Sequence, residues 1–133
     1  MRVVLDTNVI VAGFAARGLC AEVFEVCLEN HSIILSDYIL AEVQEKLDLK
    51  IRLPQNYINE IIAYLRETGE VVHPEALPLP VCRDSDDDAV IGTALAGNAD
   101  FIITGDGDLL VLGKFKKIEI VTPRFFWERL TLL

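Results

Sequence analysis

Carboxylates fall at four places in this chain where their neighbours should hold them still. Asp6 directly follows Val3, Val4 and Leu5. A carboxylate at the end of a buried apolar run is costly unless it is paired, hydrogen-bonded or bound to a cation. It reads equally as the N-cap of a helix through Val9 and Ile10. Glu42 flanks the stripe formed by Ile39, Leu40, Val43 and Leu47, whereas Glu45 points further away; a solvated glutamate is its other reading. Asp84, Asp86, Asp87 and Asp88 place four acids in five residues, interrupted by Ser85. One or two acids in a first turn are explained by the helix dipole, and Ser85 with Asp88 has capping-box spacing. On the helix that follows, Asp87 and Asp88 project toward the side of Ile91, Ala94 and Leu95. Acids aimed at a buried face repel one another unless a cation lies between them. In Thr104-Gly105-Asp106-Gly107-Asp108, the two acids either cap a turn into Leu109 and Leu110 or converge, the glycines letting the backbone bend.

A set of donors made only of carboxylate oxygens suits Mg2+ or Mn2+ rather than zinc. Two such ions about 3.5–4 Å apart can clamp the attacking and leaving oxygens of a phosphodiester. His31 and His73 stand alone and read as structural. Cys20, Cys27 and Cys82 include no close pair, which argues against a disulfide framework or a zinc site. Cys20 and Cys27 share a helical face and read as small buried hydrophobes.

These acids need a scaffold, and the apolar pattern supplies one. Short apolar runs at 3–5, 33–35, 101–104 and 118–121 predict buried strands, with a brief further strand at 70–73. Between them, helical periodicity predicts helices at 20–28, 37–48, 55–67 and from Ser85 to about Asn98, and Pro123 opens a closing helix. Short buried strands alternating with helices imply a parallel sheet covered on both faces. In such sheets a site lies at the carboxyl ends of the strands, where Asp6, Thr104, Asp106 and Asp108 fall.

The blocks resemble a known family. Leu5-Asp6-Thr7-Asn8-Val9 resembles the opening signature of the PIN (PilT N-terminal) domain family. Leu40-Ala41-Glu42-Val43 is similar to its second acidic position. Asp87-Asp88-Ala89-Val90-Ile91-Gly92-Thr93-Ala94 is similar to the third, and Ile102 to Leu110 to the fourth. The four blocks occur in family order. The resemblance implies a three-layer α/β/α fold with a short-stranded central parallel sheet, as one domain over 1–133. It implies a Mg2+- or Mn2+-dependent endoribonuclease, commonly the toxin of a toxin–antitoxin pair. Carried over by position, Asp6, Glu42, Asp88 and Asp106 are the catalytic acids, with Asp6, Asp88 and Asp106 on the metal. Asn8, Asp87, Thr104 and Asp108 support them. Ser85 stands where relatives tend to have Pro. Asp87 duplicates Asp88, so the third position is open to a shift of one residue. The expected products are a 5′-phosphate and a 3′-hydroxyl, from single-stranded or looped RNA.

The net charge of −9 speaks against a protein that coats nucleic acid, although acids gathered for a metal inflate that count. The basic residues form two small groups, Lys46, Lys50 and Arg52, and Lys114, Lys116 and Lys117. With 52% hydrophobic residues and no run of about 20 apolar ones, the chain reads as globular and not membrane-spanning. Its first residues lack a signal-peptide pattern, and a cytoplasmic location is expected. The high apolar fraction in a short chain predicts a homodimer, and the resemblance adds an antitoxin as partner. Two other readings compete. Gly105-Asp106-Gly107 resembles a turn of haloacid-dehalogenase-type phosphatases, but those want an Asp where Asn8 stands. The other is a PIN-like module that binds RNA or protein without catalysis, which typically loses acids that this chain keeps.

Overall fold

The structure, a computed structural model, describes residues 1–131. Leu132 and Leu133, within the expected domain range, lie outside the described residues. The elements are β1 (Arg2–Leu5), α1 (Thr7–Ala15), α2 (Leu19–Asn30), β2 (Ser32–Ser36), α3 (Asp37–Leu49), α4 (Gln55–Thr68), β3 (Glu70–Val72), α5 (Ser85–Ala96), β4 (Phe101–Ile103), α6 (Gly107–Leu110), β5 (Lys114–Phe115), β6 (Ile118–Val121) and α7 (Pro123–Thr131). The strands form one sheet in the order β3-β2-β1-β4-β6-β5. The layering is α/β/α, as the sequence implied. Among the described residues no helix is long and apolar enough to cross a membrane.

Every pairing but one is parallel. The exception is β5 against β6, a two-residue antiparallel edge that the apolar pattern did not predict. Val3, Val4 and Leu5 of β1 are completely buried, as are Ile34, Leu35, Ile102 and Ile103 on its neighbours. Such unbroken apolar runs are what a parallel sheet covered on both faces requires. Cys27 is buried in this core and Cys20 packs against it; both thiols are free. Burial pushes the Cys27 thiol up to about 12, so it behaves as an inert apolar group.

Strand order reverses between β1 and β4: β2 and β3 follow on one side, β6 and β5 on the other. A reversal of this kind opens a crevice beyond the carboxyl ends of the two strands, because their connections leave in opposite directions. The segments that follow β1 and β4 begin with Asp6 and Thr104.

Between β3 and α5 the chain runs as a strap against α5. The Glu75 amide donates to the Gly92 carbonyl at 2.9 Å. A Cβ at Gly92 would stand 2.4 Å from the Glu75 carbonyl oxygen, so a side chain cannot fit without moving backbone. Gly92→Ala is therefore expected to destabilise the protein by about 1–3 kcal/mol, the usual cost of overpacking. Urea unfolding checks this, and an unchanged midpoint would show that the strap yields freely.

Candidate metal centre

Asp6 directly follows β1 and extends the ladder by one step, its amide donating to the Ile103 carbonyl at 2.9 Å. The residue is buried, 8% exposed. One carboxylate oxygen caps α1, accepting from the Thr7 amide at 2.8 Å. The other accepts from the Thr104 hydroxyl at 2.7 Å. Thr104 is fully buried, and its oxygen in turn accepts from the Asp106 amide at 2.9 Å. One hydroxyl thus ties the acid after β1 to the acid after β4. Asp106 also caps α6, accepting from the Asp108 amide at 3.0 Å. For both acids, capping and facing the crevice prove compatible.

The helix α5 brings the third acid. Its N-cap is Asp84, which accepts from the Asp86 amide at 2.9 Å; Ser85, expected to cap, is the first helical residue instead. Asp87 is 7% exposed and faces the crevice. Carboxylate oxygens of Asp87, Asp106 and Asp108 lie within 4.8 Å of one another. Glu42 of α3 completes the ring, half-buried, with the Thr7 hydroxyl 3.4 Å away. Together these side chains wall a cavity of about 250 Å³ whose lining includes Asp6, Glu42, Asp84, Asp86, Asp87 and Asp106.

Asp88 does not reach it. The expectation that Asp88 leans toward Asp6 and Asp106 fails on its hydrogen bonds. Its carboxylate accepts from the Cys82 amide at 2.8 Å and from the Val81 amide at 3.2 Å. It fastens the strap to the first turn of α5. Successive helical residues differ by about 100° around the axis, so neighbouring acids cannot share one direction. Asp87 has Val90, Ile91 and Ala94 at +3, +4 and +7, all buried. That stripe was a sequence signal for Asp87, whereas Asp88 aligns with the half-buried Leu95.

The family model described as PIN domain matches residues 2–108. This chain belongs to the PIN-domain family. Among solved structures, a chain of VapBC2 from Rickettsia felis, crystallised bound to a DNA fragment from their promoter, superposes with a TM-score of 0.63 at 16% identity. A chain of FitAcB from Neisseria gonorrhoeae does so with a TM-score of 0.55 at 15% identity. Each alignment covers 92% of this chain and 98% of the other. No curated protein matches the sequence.

In this PIN domain the crowding of acids has an electrostatic consequence. The Asp87 carboxyl is raised to about 7, first by burial, then by hydrogen bonding to Asp106 and by the charges of Asp106, Asp6 and Asp84. Glu42 is raised too, first by burial and then by Asp86, with Lys46 opposing. At the edge of the cluster, Asp108 pairs with the exposed guanidinium of Arg83 at 2.7 Å. The Tyr38 hydroxyl donates to Asp86. Neither contact had a signal in the sequence. Asn8 does reach the site, where its amide oxygen accepts from Lys46 at 2.8 Å. The spacing of Glu42 and Lys46, one turn apart on α3, was the available sign that this lysine belongs here.

Proposed function

We propose that this PIN domain is a divalent-metal-dependent endoribonuclease and acts as the toxin of a toxin–antitoxin pair. The observation that carries the reading is the gathering of Asp6, Glu42, Asp87 and Asp106 around one crevice where the strand order reverses. The donor set fits a hard cation. It offers carboxylate oxygens within 4.8 Å, and ionising the buried Asp87 among its neighbours is unfavourable until positive charge arrives. We assign Asp87 and Asp106 to hold Mg2+ or Mn2+, with Asp6 and Asp108 beside them. Asp88, carried into this role by the sequence resemblance, becomes a positioning residue for the strap.

A bound divalent cation supplies Lewis acidity, neutralising charge on the phosphate and making a water more acidic. The protein's own part is orientation. Thr104 ties the Asp6 carboxylate to the Asp106 backbone amide, and Asp84 and Asp106 cap the helices on either side. Glu42, whose proton affinity burial raises, accepts the proton of the attacking water. Water oxygen then bonds to phosphorus as the bond to the 3′-oxygen breaks, and the departing oxygen takes a proton from solvent, leaving a 5′-phosphate and a 3′-hydroxyl.

The antitoxin partner is supported by the overall likeness to VapBC2 and FitAcB chains. A homodimer in the cytoplasm completes the proposal. Large apolar side chains left exposed, including Leu79, Val111 and Phe125, are consistent with a protein interface.

Asp6→Asn tests the site. An Asn oxygen can still accept from the Thr7 amide, and its NH2 can donate to Thr104, so the fold should survive. Loss of charge beside the metal should remove RNA cleavage in Mg2+ while leaving the circular dichroism spectrum unchanged. Cleavage at the wild-type rate would sink the assignment of this crevice.

A further inference from the structure

The reaction as assigned leaves Lys46 without a task. It is half-buried, lines the acidic cavity, and is the only basic side chain on that wall among the described residues. A lysine on a flexible stem amid several carboxylates ordinarily falls onto one of them. Lys46 makes no ion pair among the described residues. Its Nζ instead donates to the neutral amide oxygen of Asn8 at 2.8 Å. Asn8 sits in the first turn of α1, two residues beyond Asp6, so the contact spans from α1 to α3. An ammonium has three donors. Asn8 takes one, and the rest stay uncommitted at the edge of a strongly negative crevice. Holding a cation off its nearest acids makes sense when it serves an anion from outside.

We propose that Lys46 is a phosphate-binding residue of this site, and that Asn8 positions its ammonium to grip a non-bridging oxygen of an RNA phosphodiester. The proposal rests on the nuclease reading for the identity of that anion. A polyanion entering a ring of acids meets repulsion that the metal relieves at the reacting phosphate only. A fixed ammonium on the wall relieves it one contact further on. Contact through a point charge carries no base information, so it favours RNA strands without regard to sequence.

The test is binding of fluorescein-labelled oligouridylate, followed by anisotropy in Ca2+ from about 50 to 200 mM salt. Lys46→Gln should weaken binding about tenfold, the effect of losing one charge-assisted contact. It should also reduce the log–log salt slope by about 0.7, as for one phosphate on a single strand. Oligoadenylate should show the same loss. Lys46→Arg should restore the slope. Asn8→Ala should keep the slope, because the charge remains, yet weaken affinity and raise KM more than it lowers kcat. The thermal shift of Lys46→Gln in Mn2+ should be at least that of wild type, showing the acids intact. Wild-type affinity and slope in Lys46→Gln would overturn the proposal. Binding that depends on Lys46 without any cleavage would uphold it while removing the hydrolytic reading. No oligonucleotide binding by the wild-type protein would overturn both.

Discussion

Asp87→Asn is expected to lower RNA cleavage in Mn2+ by more than about 100-fold, beyond the 10–100-fold typical of residues that only orient a metal's ligands. It should also remove most of the stabilisation that Mn2+ gives the wild-type protein, since a ligand that binds only the folded state stabilises it by mass action. The reason is local. Asp87 is the buried acid of the α5 first turn, and its oxygens come within 4.8 Å of those of Asp106 and Asp108. Asp88→Asn should retain activity within about tenfold, because its carboxylate serves the Val81 and Cys82 amides rather than the crevice. Asp88→Ala should show the structural role, costing about 1–3 kcal/mol by leaving two amides without their acceptor. Single-turnover cleavage and thermal shift on the three variants decide the matter. An inactive Asp88→Asn beside an active Asp87→Asn would return the catalytic role to Asp88.

The second large effect is a pH dependence that metal should erase. The Asp87 carboxyl is at about 7 in the folded protein, whereas the unfolded chain takes the ordinary 3.8. Between these values the folded state holds the extra proton, so stability falls as pH rises through the window. Below pH 4 both states are protonated and no penalty exists. Above pH 7 both are ionised and the penalty is complete. Glu42 is raised and adds a slope of the same sign. His31 is lowered by burial and by the N-terminal charge, and its slope runs the other way. Subtracting Asp87→Asn from wild type at each pH cancels these shared contributions. In EDTA the variant should gain on wild type between pH 4 and 7 and hold that gain at pH 8. In saturating Mn2+ wild type should regain the lead. A difference that is flat with pH in EDTA would mean that Asp87 ionises freely in the empty protein.

Strand and helix positions were legible because both signals are strong here. Unbroken apolar runs marked β1, β2, β4 and β6, and a 3.6-residue stripe marked α3 and α4. β5 escaped because two residues, Lys114 and Phe115, cannot establish a period, and their pairing depends on β6 folding back. Asp6 and Asp106 were legible as carboxyl-end acids of a parallel sheet, and Glu42 from its place beside the apolar stripe of α3 and from the family resemblance. The choice between Asp87 and Asp88 was harder because one residue of helical phase turns a side chain by about 100°. The motif frame favoured Asp88, while the buried stripe of Val90, Ile91 and Ala94 pointed to Asp87. Tyr38 with Asp86 and Arg83 with Asp108 lie 48 and 25 positions apart, and no local pattern announces such contacts.

One hydroxyl joins residues 98 positions apart, Thr104 and Asp6. β4 inserts beside β1 only after α5 has been made, and Asp106 follows later still. No fragment that stops short of Asp106 therefore carries the complete ring of acids. Under the proposed function, this ordering matters during synthesis. The growing chain can fold β1, β2 and their helices as they leave the ribosome while the acidic crevice is still incomplete. Only β4 and the turn after it complete that crevice, and by then most of the message that encodes the chain has been read.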